Sequence, residues 1–205
     1  RIDDFMCWSG LNKRDASAGL AKVKTRPVLV EGFRDPWLSL ASAFVDDAPS
    51  ADDVHTLLGF EDNAFALNVG TALFADPVFH SMKVPSWGSQ AKVSLGAARH
   101  LSNRPVIAEG RLVGFWDYDP DAKKAVVGLF EAVSKDAKRR LDEQAAGVSR
   151  FLSTELGHGR SFALDTDDAL RARAAFVKTL KPKAVKRKSA PLRKAAKTAK
   201  KKKKR

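Results

Sequence analysis

The side chains best suited to chemistry in this 205-residue chain are cations. Lys and Arg number 37 against 24 Asp and Glu, a net charge of +13, but the excess is not spread evenly. Fourteen of the basic residues fall in residues 181–205, which hold no acid, leaving 23 basic against 24 acidic residues in the rest. The body is therefore close to neutral. The cationic character sits in a Lys/Ala-rich end with Pro191 and no apolar periodicity, a composition expected to be disordered in isolation. Within it Lys186, Arg187, Lys188, Arg193, Lys194, Lys201, Lys202, Lys203, Lys204 and Arg205 are candidate phosphate ligands. If such a segment neutralises about six to ten phosphates, affinity falls by roughly three to five decades over a fourfold rise in salt. A merely solubilising basic end is the alternative for the same residues.

A second, smaller set of cations lies near the front: Lys13, Arg14, Lys22, Lys24, Arg26 and Arg34. Other chemistry has little support. His55, His80, His100 and His158 do not pair with Cys or with one another at metal-ligand spacing. Ser86-Trp87-Gly88-Ser89 lacks the glycines that flank a nucleophile elbow. Asp165-Thr166-Asp167-Asp168 has helix-cap rather than calcium-loop spacing, and no phosphate loop is present. The single cysteine, Cys7, excludes an internal disulfide, suits a reducing compartment and is expected as a small buried thiol. No cofactor site is read. No run of about eighteen apolar residues is present, so no membrane span is expected.

The elements that must position the front cations follow from local pattern. Ile2, Phe5, Met6 and Trp8 have helical spacing, with Asp3 and Asp4 in the first turn. Asn12 is placed to cap a second helix, Lys13 to Val23, whose buried stripe is Ala16, Leu20 and Val23. Strands follow at Pro27–Glu31 and Trp37–Ala41, around a Gly32-Phe33-Arg34-Asp35-Pro36 loop. A helix pair followed by two strands reads as a winged helix. Its second helix would enter a major groove while Arg26 and Arg34 hold phosphates. A docking module for protein, or a small α+β unit with ordinary surface charge, fits the same pattern.

Asp46–Asp53 is acidic and turn-rich and marks a boundary or linker. A short helix is expected over Val54–Leu58, then strands over Ala64–Val69 and near Lys92–Leu95. The long loop Ala75–Gln90 would pack through Phe79, Met82, Val84 and Trp87. Arg104 to Phe130 reads as a three-stranded meander turning at Glu109-Gly110 and Asp119-Pro120-Asp121. Its middle strand, Arg111–Tyr118, alternates Val113 and Phe115 with Leu112, Trp116 and Tyr118, so both faces need cover. An amphipathic helix is expected over Ser134–Leu156, with Ala137, Leu141, Ala145, Val148 and Leu152 on one face. A short helix capped by Asp165-Thr166-Asp167 ends near Leu180.

Four segments carry a family resemblance. FMCWSGLNKRDASAGL (Phe5–Leu20), LLGFEDNAFAL (Leu57–Leu67), the hairpin from Val106 to Trp116 and RSFALDTDDALRAR (Arg160–Arg173) resemble the winged-helix family of the AlkZ-like (YcaQ-type) DNA glycosylases. The first is similar to that family's third winged helix, the second to the entry of its C-terminal β-barrel, and the fourth to a C-terminal signature of one branch. The resemblance implies a Gln-x-Gln or Gln-x-Asp pair orienting a water at the sugar of an extruded, alkylated nucleotide. The two glutamines here read Gln90-Ala91-Lys92 and Gln144-Ala145-Ala146, so no catalytic residue carries over. The expectation is therefore either the C-terminal part of a longer protein, with which a start at Arg1 agrees, or a relative without that chemistry. The basic end also resembles the Lys/Ala-rich tails of bacterial histone-like proteins.

The expected fold is α+β: a winged helix-turn-helix (1–45), a small antiparallel β-barrel or meander (54–132), C-terminal helices (133–180) and a disordered basic tail (181–205). The expected function is binding of double-stranded DNA, with the C-terminal portion of a glycosylase acting on alkylated or crosslinked DNA as the alternative. The expected location is the cytoplasm, with the nucleoid.

Overall fold

A computed structural model describes residues 1–29, 34–43, 54–59, 70–87, 91–98, 100–162 and 165–185. The elements are mixed α and β, and every strand pair is antiparallel. Helices α1 (Ile2–Ser9) and α2 (Lys13–Leu20) precede a two-stranded ribbon, β1 (Thr25–Val28) with β2 (Trp37–Leu40). The principal sheet runs β3-β6-β7-β8, from β3 (His55–Leu57), β6 (Arg104–Ala108), β7 (Arg111–Asp119) and β8 (Lys124–Leu129), and is curled like half a barrel. Between them come a short ribbon of β4 (Lys83–Val84) and β5 (Val93–Ser94), then α3 (Lys135–Arg150) and α4 (Asp167–Thr179) close the described chain.

The meander forms as its turns dictate. Glu109 and Gly110 both take positive φ, 52° and 72°, so the two-residue β6–β7 turn matches the twist of its strands. At the next turn Asp119 accepts from the backbone N–H groups of Asp121 and Ala122. The face assignment of β7 differs from simple alternation. A register shift between Val106 and Ile107 puts Leu112 with Phe115 on one face and Val113 with Trp116 on the other. A β-bulge adds one residue to one strand and so inverts the parity beyond it.

Two cores result. Ala137, Leu141 and Ala145 of α3 pack on Val106, Ala108, Val113, Trp116 and Ala125. On the opposite face Leu112, Phe115 and Phe130 meet Phe79, Val84, Leu95 and Val177. The 75–87 segment covers that face as expected, through Phe79 and Val84, whereas Trp87 stays half exposed. Capping by Asn12 and Thr166 is as expected, their side chains accepting from the N–H groups of Asp15 and Ala169, while Ser134, read as the first residue of its helix, caps it by accepting from Ala137 N–H.

Several expectations are corrected. Val54–Leu58 is not helical; His55–Leu57 is an edge strand paired with Val106–Ala108, a partner about fifty residues away that local pattern cannot reveal. Helix α2 stops at Leu20, because Lys22 and Val23 turn back to bond the carbonyls of Gly19 and Leu20, and Val23 is left exposed. Cys7 is exposed rather than buried. The face of α1 that meets the ribbon carries Arg1, Asp4, Phe5 and Trp8, and Cys7 lies about a third of a turn away from it. The α-helix after Ser134 ends at Arg150 and widens into a π-type turn over Phe151–Glu155. The expected strand Ala64–Val69 and the acidic linker Asp46–Asp53 lie outside the described residues.

Candidate nucleic-acid interface

The front unit is built around a small apolar seam. Gly10, at φ 70°, ends α1 by donating its N–H to the Met6 carbonyl, and Asn12 starts α2 two residues later. Ala16 is the buried contact of α2. Strand β2 turns Trp37 toward α1, where the Arg1 guanidinium lies 5.5 Å from its ring. A cavity of about 290 Å³ remains, lined by Phe5, Trp8, Leu20, Trp37, Leu38 and Leu40 among others.

All six front cations proposed from sequence, Lys13, Arg14, Lys22, Lys24, Arg26 and Arg34, are exposed. They are not equivalent. Arg14 is held by Asp15 at 3.1 Å, and Arg26 donates to the Ala43 carbonyl at 2.8 Å, tying down the chain after the ribbon. Lys22 and Lys24 follow the C-terminus of α2, where the helix dipole favours positive charge. Lys13 and Arg14 sit at the opposite end, where the dipole disfavours it. The helix dipole therefore does not account for them, and Asp15 offsets only Arg14. Lys186, Arg187, Lys188, Arg193, Lys194, Lys201, Lys202, Lys203, Lys204 and Arg205 lie outside the described residues.

The route by which the chain reaches those cations is visible. Lys183 donates its N–H to the Phe130 carbonyl and accepts from Ala132 N–H, a parallel bridge beside Glu131. Leu180 and Val185 pack on the core. The segment is thus fastened to the sheet up to the residue before Lys186.

The outer face of α3 is largely self-neutralised. On α3, Lys138 pairs with Asp142 at 2.8 Å, Arg139 with Asp136 at 2.6 Å and Glu143 at 2.7 Å, and Arg140 with Asp136 at 2.8 Å. Those i,i+3 and i,i+4 pairs leave the outer face of α3 with little net attraction for an anion.

Four buried charges form a network that sequence reading missed. Arg104 pairs with Asp117, Arg173 reaches Asp117 at 3.1 Å and Asp165 at 2.7 Å, and Asn103 donates to the Arg173 carbonyl at 3.1 Å. Burial pushes the Asp117 carboxyl up and the Arg104 guanidinium down, each opposed by its partner. Burial also opposes ionisation of Asp165, but the Arg173 hydrogen bonds, the Ser161 N–H and the charges of Arg173 and Arg104 together outweigh it and hold the group below its ordinary value. Two signals were present in sequence: Asp117 stands between Trp116 and Tyr118, and Arg173 falls on the Leu170–Ala174–Val177 stripe of α4.

Gln144, set aside as a catalytic residue, is structural. Its Nε2 donates to the His55 carbonyl at 2.7 Å and its Oε1 accepts from Leu57 N–H at 3.2 Å. Gln90 lies outside the described residues. His80 bonds the Ala75 carbonyl at 3.1 Å, and His158 Nδ1 accepts from Arg160 N–H. Among the described residues no group of three His, Cys, Asp or Glu is arranged to hold a metal, and no helix is long and apolar enough to cross a membrane.

Comparison with known proteins gives one match. The family model described as "DNA glycosylase AlkZ-like" matches residues 1–151, which takes in the front unit, the curled sheet and α3 but not α4. No curated protein and no solved structure matches the chain.

Proposed function

This chain belongs to the AlkZ-like DNA glycosylase family, and from that premise we propose that it is a DNA-holding part of a base-excision enzyme. In this reading α1, α2 and the β1–β2 ribbon act as a winged helix on duplex DNA. The curled sheet with α3 and α4 braces it, and the basic end adds affinity without sequence preference. The observation that carries the reading is the placement of Lys13 and Arg14 at the positive end of α2, exposed and within the matched segment. Phosphate is the ligand that compensates cations there. The chemical step is assigned to no residue of this chain, since Gln144 is committed to the edge of β3 and no Gln-x-Gln or Gln-x-Asp is present.

The test is duplex binding against salt, by fluorescence anisotropy. Two variants are compared with the full chain: one lacking residues 186–205, and one with Lys13, Arg14 and Lys22 all changed to Gln. Removing the tail is expected to abolish most of the salt dependence, while keeping Lys183 leaves the body folded. The triple change is expected to lower the slope of log K against log salt by about 0.9 for each phosphate no longer neutralised. Equal duplex binding by the tailless chain and the full chain at moderate salt contradicts the tail's role. An unchanged slope in the triple variant contradicts the winged-helix role.

A further inference from the structure

Arg104 does more than neutralise Asp117. Its Nη2 donates to the Gly159 carbonyl at 2.8 Å and to Ser161 Oγ at 2.6 Å, while its guanidinium lies 5.0 Å from the Trp116 ring. The Tyr118 ring sits so close to Gly159 that no side chain fits there, and Asp165 accepts from Ser161 N–H at 3.2 Å. Three inward-facing groups thus hold residues 159–161, and the outward side chains of the loop, His158 and Arg160, are exposed. Loops positioned by a rigid interior are where binding residues concentrate.

Next along the loop, Phe162 meets Trp87 edge to face, with centroids 5.1 Å apart and rings at 90°. Trp87 donates its backbone N–H to the His100 carbonyl at 2.8 Å. It remains 47 % exposed, and His100 beside it is exposed too. An aromatic pair held on this loop, with exposed Arg160 two residues before Phe162 in the chain, suits a flat, anionic ligand. Arg160 is shared with Asp167 at 3.1 Å, but both side chains are about half exposed (46 % each), so solvent weakens that pair.

We propose that Trp87 and Phe162, with Arg160 at their border, form a stacking platform for an unpaired nucleotide of DNA. This rests on the DNA-binding reading above and deepens it by naming single-stranded DNA as a ligand of the curled-sheet unit. The base lies on the Trp87 ring and the phosphate on Arg160.

The experiment uses the full chain with labelled oligothymidylate and, separately, a labelled duplex, at salt high enough to screen the tail. Trp87→Ala is expected to weaken oligothymidylate binding by about tenfold or more, as for loss of one base stack. Duplex binding should stay within about twofold in the same variant. Trp87→Phe should retain most of the single-strand affinity, and Arg160→Gln should reduce its salt slope by about 0.7. Equal oligothymidylate binding by wild type and Trp87→Ala overturns the platform, as does an equal loss on both ligands or an unchanged slope in Arg160→Gln. A full chain that binds no DNA at any salt overturns the wider reading. Selective loss of the single strand with duplex binding intact is the outcome only the platform produces.

Discussion

Asp117 on β7 and Arg173 on α4, 56 residues apart in sequence, meet at 3.1 Å with both side chains buried. Two further ion pairs run along the same edge. Lys178 reaches Asp119 at 2.5 Å, and Arg171 reaches Asp121 at 3.0 Å. Alternate aspartates of one strand and its turn therefore each receive a cation from one helix. The helix that carries those cations lies beyond residue 151, where the family match ends.

Removing one partner from the interior of this network should be costly. Arg173→Met removes both side-chain bonds to Asp165 and one of the four to Asp117, and a loss of about 3–5 kcal/mol is expected in urea denaturation. Changing Asp136 to Ala on the outer face of α3 breaks the pairs with both Arg139 and Arg140, yet should leave the urea midpoint almost unmoved. A similar midpoint shift for the two variants would mean that the interior network is not the stabilising one.

Acid should loosen α4 first. The Lys178 hydrogen bond holds the Asp119 carboxyl below its ordinary value of 3.8, against the opposing effect of burial. A carboxylate depressed in the folded state stabilises folding above its unfolded pKa. That contribution fades as pH falls from about 3.8 through the lower folded value. Asp165 acts in the same sense, whereas burial pushes Asp117 the opposite way. Thermal midpoints measured down from pH 5 should therefore drop below pH 4, and Asp119→Asn should flatten part of the drop. Parallel curves for wild type and variant would remove Asp119 from the explanation.

Two glycines should respond oppositely to a methyl group. At Gly128 on β8 an added Cβ collides with the Val177 backbone carbonyl of α4, so Gly128→Ala should destabilise by about 1–3 kcal/mol. At Gly147, inside α3, nothing lies within 4 Å of the position, and Gly147→Ala should stabilise by about 0.5–1 kcal/mol. Calorimetric midpoints moving apart in these directions are the check.

Gln144 should matter as an edge plug. Leu58 N–H points to Pro105, so the His55 carbonyl and Leu57 N–H face away from β6, and the Gln144 amide answers both as a neighbouring strand would. Gln144→Ala is expected to cost about 1–3 kcal/mol. Gln144→Glu should be no better, because a carboxylate cannot donate to His55. Light scattering on warming should reveal self-association of both variants sooner than of wild type.

What could be read from the sequence followed from local rules. Asn12 and Thr166 cap where their spacing indicated, and the meander turns at Glu109-Gly110 and at Asp119. The misreadings share a cause, since each residue's state was set by a distant partner. His55–Leu57 became a strand because β6 needed an edge, and Cys7 was left in solvent by the direction in which α1 meets Trp37. The alternation read for β7 missed one bulge, which put Val113 and Phe115 on opposite faces. The front cations were legible because charge needs no partner to be counted. The Trp87–Phe162 pair was not, since 75 residues separate members that only the folded loops bring together.

The strand-to-helix ladder also bears on inheritance. A carboxylate at 117 has no tolerable neutral setting unless position 173 changes with it, and the same holds between 119 and 178 to a lesser degree. Among relatives these positions should drift as couples, an acid and a base lost or kept together. A gene shortened after α3 would keep the aspartates and lose Arg171, Arg173 and Lys178, leaving Asp117 to Arg104 alone and Asp119 without its lysine, a strand whose charges selection would soon rewrite.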